Sequence, residues 1–331
     1  MSQIINRLSS IENNNNNKIV DMRITFLALV VLITLCTTTS YADEELGKQA
    51  YNGFFIATDD LNDWTGFSKE PQQTQTPEDL GWNLCVGSYT FKEFTFAEAL
   101  EKVESLGLEF IEMATSQKIG GGIEGTTAHT MDESTQKAIL KLCSEHDIKI
   151  LSYGVINGKD EAEWDAIFKF AKEMGIKTIL TEPKKEQLDL VEQIANKYKI
   201  NVALHNHPYP SQYWSPEAVL EAVEGRSKYM GACADIGHWI RSGLDPVESM
   251  KKLEGRMHEF HFKDLNKKED KEAHDVVWGT GVSDVKLLMQ EMKRQKFQGA
   301  VTVEYEYNWK DSYEEINESL KNFILYTKEL N

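Results

Sequence analysis

A short β-rich run followed by an amphipathic stretch recurs eight times between residues 83 and 330. The runs cover 83–88, 108–113, 148–153, 177–181, 201–204, 230–234, 257–262 and 300–305. The stretches between them, 95–106, 132–146, 161–174, 185–198, 216–224, 246–253 and 285–295, carry apolar residues at helical spacing, and a last one at 313–330 closes the chain. Strands joined through helices run parallel, because the crossover brings each one back in the same direction. Eight such units in about 250 residues predict an α/β fold, a single-domain (β/α)8 TIM barrel. A doubly wound open sheet is the competing arrangement, but it usually shows fewer strands and often a Gly-rich phosphate loop after the first. Here Gly120-Gly121-Gly122 follows the second run without opening a helix, and reads as a mobile loop.

In a barrel the chemistry sits at the carboxyl ends of the strands. Five runs end there in acidic or imidazole residues: Thr181-Glu182-Pro183, Leu204-His205-Asn206-His207, Ala234-Asp235-Ile236-Gly237-His238, Glu259-Phe260-His261-Phe262-Lys263-Asp264 and Val303-Glu304-Tyr305-Glu306. Each residue has an ordinary reading. Asp235 could cap the next helix, His261 could be a core histidine, Glu304 a buried ion pair, and Glu182 a charge at a helix start before Pro183. Lys263 and Asp264 could form a surface pair. A carboxylate inside a barrel is costly unless paired or bound to metal, and coincidence at neighbouring strand ends weakens the ordinary readings together. A mixed Glu/Asp/His set suits one divalent ion, Mn²⁺, Mg²⁺, Co²⁺ or Zn²⁺, with Mn²⁺ expected first.

Composition narrows the partners. The net charge of −17 excludes a basic nucleic-acid surface. Met22-Arg23, the apolar stretch 24–35 and the small residues Ser40 and Ala42 read as a signal peptide cleaved after Ala42. The apolar stretch is short of the roughly 20 residues of a membrane span. The expected layout is therefore an extension and signal at 1–42, a polar lead-in at 43–80 and the barrel at 81–331. The mature chain would be exported, periplasmic or secreted, with no membrane span left. Met1 or Met22 is the start, and the sequence leaves open whether the chain forms a homo-oligomer. Cys85 and Cys233 fall in strands and read as buried free thiols.

From Trp82 to Leu330 the chain resembles the xylose isomerase-like barrels of the sugar phosphate isomerase/epimerase group. The carrying residues are Ala203-Leu204-His205-Asn206-His207, Cys233-Ala234-Asp235-Ile236-Gly237-His238, Gly243-Leu244-Asp245-Pro246, His261-Phe262-Lys263-Asp264, Trp278-Gly279-Thr280-Gly281-Val282 and Val303-Glu304-Tyr305-Glu306. The resemblance implies a metal held by Glu, Asp, His and Glu, and three of these match Asp235, His261 and Glu304. The fourth departs: many members read Leu-Glu-Asn-His where this chain has Leu204-His205-Asn206-His207. Either His205 binds the metal itself, or Glu182 reaches across from the preceding strand. Lys263 is a candidate to bind an oxyanion, or to act as a base if burial lowers its pKa. His207, His238, Asn206, Trp278 and Glu306 are candidates to contact the sugar, and His274 and Asp275 are further ones.

The chemistry implied is proton abstraction beside a carbonyl through an enediolate, giving isomerisation or epimerisation of a sugar. Glu304 with His205, Glu182 or Lys263 is an asymmetric acid/base set, which raises a keto-sugar or keto-glycoside lyase or dehydratase as the alternative. A non-catalytic sugar-binding barrel and an apurinic endonuclease are the remaining readings. The second lacks the basic face it would need.

Overall fold

The computed structural model describes residues 75–330. Eight strands close into one barrel, all pairs parallel, in the ring order β1-β10-β9-β8-β7-β6-β5-β2. They are β1 (Trp82–Gly87), β2 (Phe110–Ala114), β5 (Lys149–Gly154), β6 (Thr178–Thr181), β7 (Asn201–His205), β8 (Met230–Asp235), β9 (Met257–Phe262) and β10 (Gly299–Val303). The remaining two, β3 (Lys118–Gly120) and β4 (Ile123–Thr126), form an antiparallel hairpin outside the ring. The run expected to be a mobile loop is thus a hairpin turn. Gly120, Gly121 and Gly122 all take positive φ there, and a side chain on Gly120 would meet Thr95 Oγ1 at 2.5 Å.

Nine helices of the described residues cover the outside: α1 (Phe96–Ser105), α2 (Glu133–Glu145), α3 (Glu161–Glu173), α4 (Leu188–Tyr198), α5 (Pro216–Val223), α6 (Ile236–Arg241), α7 (Pro246–Lys252), α8 (Val285–Arg294) and α9 (Tyr313–Glu329). Their starts are written locally. Thr95 and Glu98 form a reciprocal capping box on α1, and Ser215 and Asp245 cap α5 and α7 ahead of Pro216 and Pro246. None of the described helices is long and apolar enough to cross a membrane. The expected signal segment, its cleavage point and most of the lead-in lie outside the described residues.

The core lies between ring and helices, where Phe260 meets Phe297 and Phe262 packs on Trp278 and Phe323. Phe260 and Phe262 thereby leave His261 on the opposite face of β9, turned into the barrel. The barrel interior is unusually polar on that side: Glu112, Ser152, Glu259, His261 and Thr302 are all buried within it. Cys85, Cys143 and Cys233 are free and buried, as the strand positions of the first and last anticipated.

Strand β10 stops at Val303, two residues short of expectation. Side chains take over the backbone donors beyond it: Thr90 Oγ1 accepts from Tyr305 N–H at 2.9 Å and Asp275 Oδ2 from Glu306 N–H at 3.1 Å. Glu304 and Glu306 therefore sit on the rim rather than inside the ladder.

Candidate active site

Each barrel strand delivers its last side chains to the same rim, and four of them meet. The donor atoms of His205, Asp235, His261 and Glu304 all lie within 4.8 Å of one another. His205 Nε2 is 3.1 Å from His261 Nδ1 and 3.7 Å from Asp235 Oδ2. His261 Nδ1 is 2.9 Å from Glu304 Oε2 and 3.8 Å from Asp235 Oδ2. Ligands of a tetrahedral ion with bonds near 2.1 Å stand about 3.4 Å apart, within this spread. Asp235 divides its oxygens: Oδ1 caps α6 by accepting from His238 N–H at 2.7 Å, while Oδ2 is buried with no hydrogen bond of good geometry. Asp235 therefore caps a helix with one oxygen and turns the other to the cluster. An orphaned carboxylate oxygen facing two imidazole nitrogens and a second carboxylate fits a divalent cation.

His205 and Glu182 are not alternatives but neighbours. Glu182 Oε1 lies 3.5 Å from His205 Nδ1, on the far side of the ring from the four-residue cluster. The same oxygen pairs with His207 Nδ1, and Oε2 accepts from Ser211 Oγ at 3.2 Å. Asn157 Oδ1 fixes this strand end by accepting from Glu182 N–H and Thr181 Oγ1. Burial pushes the Glu182 carboxyl up, but the two imidazoles outweigh it and hold it down at about 2. Glu182 thus stands behind the His205 ring, whose Nε2 faces the cluster.

The same device stands beneath His261. Its Nε2 is 2.9 Å from Glu112 Oε2, on β2, leaving Nδ1 to the cluster. Glu259, next to Glu112, accepts from Ser152 Oγ at 2.8 Å and Thr302 Oγ1 at 2.7 Å, and burial followed by the Glu112 charge pushes its carboxyl up to about 8. Glu112 and Glu259 were absent from the sequence-based set. Their signal was the one used for Glu304, a carboxylate amid apolar strand residues, but below the rim, and for Glu112 on the early half of the barrel.

On the other flank Lys263 is fully buried, with Nζ 3.0 Å from Asp235 Oδ2, 2.8 Å from Glu304 Oε2 and 2.6 Å from Glu306 Oε2. Burial lowers an amine's pKa, yet these carboxylates win and hold it well above the usual lysine range. Lys263 is therefore a fixed ammonium, and the role of a base does not suit it. The expected Lys263–Asp264 surface pair is overturned as well. Asp264 is also fully buried and points away, accepting from the backbone N–H of Gly279, Gly281 and Ser283. Gly281 is required there, since a Cβ would sit 2.3 Å from Asp264 Oδ1.

The sugar-contact candidates separate. His207 is half-exposed at the mouth. His238 is buried; its Nδ1 accepts from Arg241 Nη1 at 2.9 Å and its Nε2 faces Asp235 Oδ2 at 3.6 Å. Glu306 joins Lys263 and Arg241. Asn206 spends its amide on the backbone of Asp235, donating to the carbonyl at 2.9 Å and accepting from the N–H at 2.8 Å, so it positions the aspartate rather than meeting a sugar. Trp278 is a loop anchor rather than a sugar wall: it is 1 % exposed and wedged between Phe262 and Phe323. Arg241, missed in the sequence, reaches Asp275 Oδ2 at 3.8 Å, and burial pushes the Asp275 carboxyl up to about 7. His274 stacks on Tyr307 at the rim.

The chain matches the Xylose isomerase-like TIM barrel family over residues 100–323, and it belongs to that family. An uncharacterized protein from Parabacteroides distasonis is 35 % identical, with 73 % of this chain and 97 % of that one aligned at a TM-score of 0.61. A D-tagatose 3-epimerase-like protein is 19 % identical, covering 75 % of this chain and 98 % of its own at a TM-score of 0.58. The IOLI protein, solved with a zinc atom, is 21 % identical, covering 75 % and 99 % at a TM-score of 0.59. The last two likenesses are of fold. A search of curated proteins gives no match.

Proposed function

We propose that the protein is a divalent-metal-dependent enzyme acting on a sugar or keto-sugar through an enediolate, as an isomerase or epimerase. One observation carries this: the donor atoms of His205, Asp235, His261 and Glu304 are buried and converge within 4.8 Å of one another, with Asp235 Oδ2 held by the Lys263 ammonium at 3.0 Å and by no hydrogen bond. His205 Nε2, Asp235 Oδ2, His261 Nδ1 and Glu304 Oε2 would hold the ion, whose contribution is to polarise a carbonyl and stabilise the charge of the enediolate. Mn²⁺ or Zn²⁺ suits these donors; the zinc in the IOLI protein structure supports the second. The epimerase-like relative supports the reaction class.

The protein's own groups divide the proton work. The Glu182–His207 pair at the mouth can accept a proton from the carbon beside the carbonyl, with the half-exposed imidazole as the acceptor. The Lys263 ammonium, on the other flank, lies 2.8 Å from Glu304 Oε2, donates a hydrogen bond to Glu306 and stabilises the charge of a developing oxyanion or leaving group.

This asymmetry favours a second reading, a lyase or dehydratase on a keto-sugar or keto-glycoside. A base on one flank and a fixed cation on the other match removal of a proton and stabilisation of the charge on a departing β-substituent. Symmetric epimerisation instead wants two similar groups. The export expected from the N-terminal segment agrees with a glycan-derived substrate. The experiment is NMR in heavy water with metal-loaded enzyme and a panel of keto-sugars. Deuterium at the carbon beside the carbonyl with a stereoisomer as product supports the first reading, and an unsaturated product the second. Metal binding without any exchange or turnover across the panel would leave a sugar-binding barrel instead.

A further inference from the structure

Among the described residues the exposed aromatic side chains are Tyr89, Tyr209 and Tyr307, at 39, 57 and 44 % exposure. All three stand on the rim that carries the metal cluster: Tyr89 after β1, Tyr209 after β7 and Tyr307 after β10. The other exposed large apolar residues, Leu140, Leu287, Ile324 and Leu325, are aliphatic and lie on the outer helices. Each tyrosine is braced by a second ring. Trp309 meets Tyr89 edge-on at 5.6 Å, Trp214 meets Tyr209 edge-on at 5.3 Å, and His274 stacks under Tyr307 at 4.0 Å. The rings rise from the loops of site residues: Tyr307 follows Glu306, His274 precedes Asp275, and Tyr209 is two residues beyond His207. Braced, polar-edged rings with an open face suit the C–H face of a pyranose, where burial of apolar surface is combined with hydroxyls left free to hydrogen-bond.

The charges say what kind of sugar. Four carboxylates of the site, Glu182, Asp235, Glu304 and Glu306, stand against two permanent cations, Lys263 and Arg241. Both cations are already engaged by these carboxylates, so neither is free for a phosphate. Lys92, the basic residue by Tyr89, already lies 3.3 Å over the Trp309 ring.

We propose that these aromatic rings form outer saccharide subsites, and that the substrate is a neutral, unphosphorylated glycoside of at least two rings. The reacting ring sits at the metal cluster and its neighbour lies on Tyr209 or Tyr307. This deepens the sugar reading of the site and rests on it. The test is ligand-observed NMR on the zinc-loaded protein, using glucose, galactose, glucose 6-phosphate, cellobiose, maltose and lactose as probes. At least one disaccharide is expected to bind about tenfold more tightly than its component monosaccharides, and glucose 6-phosphate no better than glucose. Tyr209→Ala or Tyr307→Ala should abolish that advantage while leaving monosaccharide and zinc binding unchanged. Equal binding of long and short sugars, a preference for the phosphate, or an advantage surviving in both variants overturns the subsites alone. Zinc binding with no sugar bound at any length overturns the sugar reading, and the subsites with it.

Discussion

Asp235 carries two tasks because a carboxylate has two oxygens and the chain turns sharply beneath it. Oδ1 closes the first turn of α6, and Asn206 clamps the backbone on both sides, so Oδ2 stays turned to the cluster, with the Lys263 ammonium 3.0 Å away. The same economy governs the histidines, each held from behind by a glutamate. Removing that support should loosen the site without removing a ligand. Glu112→Gln is expected to weaken zinc binding by roughly 10- to 100-fold, read by calorimetric titration, with the fold intact by circular dichroism. An unchanged affinity would show that Glu112 does not orient His261. Protons compete for the same nitrogens. Burial pushes His261 down, but Cys233, Glu112 and Glu304 around it raise it well above the usual histidine range, and the carboxylates of Asp235 and Glu182 raise His205 against burial. Below those raised values the rings are protonated and a metal must displace the protons. Metal affinity should therefore climb as pH rises through and above the ordinary histidine range and fall on acidification, with proton release visible when calorimetry is repeated in buffers of different ionisation enthalpy. A pH-independent affinity would contradict this. Asp235, His261 and Glu304 were legible in the sequence because strand ends in a barrel point to one rim. That His205 and Glu182 act together was not, because their contact joins side chains of two different strands.

At the scale of elements, the periodicity located every barrel strand to within two residues and, α6 apart, the outer helices to within three, α4 starting at Leu188 rather than 185, since burial on one face forces it. It missed what depends on a few side chains. The six-residue α6 follows Asp235 with too few residues to display a period, and the hairpin β3–β4 rests on glycines at positive φ. The loop after β9 is another case. Asp264 gathers the N–H groups of Gly279, Gly281 and Ser283, and Trp278 is driven into the core between Phe262 and Phe323. Sequence alone could not tell that adjacent residues Lys263 and Asp264 face opposite ways, yet alternation at a strand end makes it so. Asp264→Ala strips three backbone donors, one buried and two part-buried, of a charged acceptor. It should cost about 2–4 kcal/mol in urea unfolding, far beyond a surface substitution. A loss within about 0.5 kcal/mol would mean the loop is held by Trp278 alone.

For the whole molecule, carboxylates collected on one rim are a standing electrostatic cost that a bound cation relieves. An ion that binds the folded chain and not the unfolded one adds about 2.7 kcal/mol at a hundred times its Kd. For a domain of this size each kcal/mol moves the thermal midpoint by about 2–4 °C. Zinc or manganese should therefore raise the melting temperature of the wild type by roughly 5 °C or more, and a chelator should reverse it. Asp235→Ala should not respond. A rise of equal size in that variant would place the ion elsewhere. The eightfold alternation made the barrel readable from the sequence, and the barrel in turn says where the rim is. The polar interior beneath that rim was not readable, because Glu112 and Glu259 look like ordinary strand residues until the ring closes.

The central claim is one divalent ion held by His205, Asp235, His261 and Glu304. Anomalous scattering from crystals soaked in manganese or zinc tests it most directly. The account predicts a single strong peak within bonding distance, about 2.0–2.2 Å, of His205 Nε2, Asp235 Oδ2, His261 Nδ1 and Glu304 Oε2. A peak held instead by Glu182 and His207, or no peak on this rim at saturating metal, would contradict it.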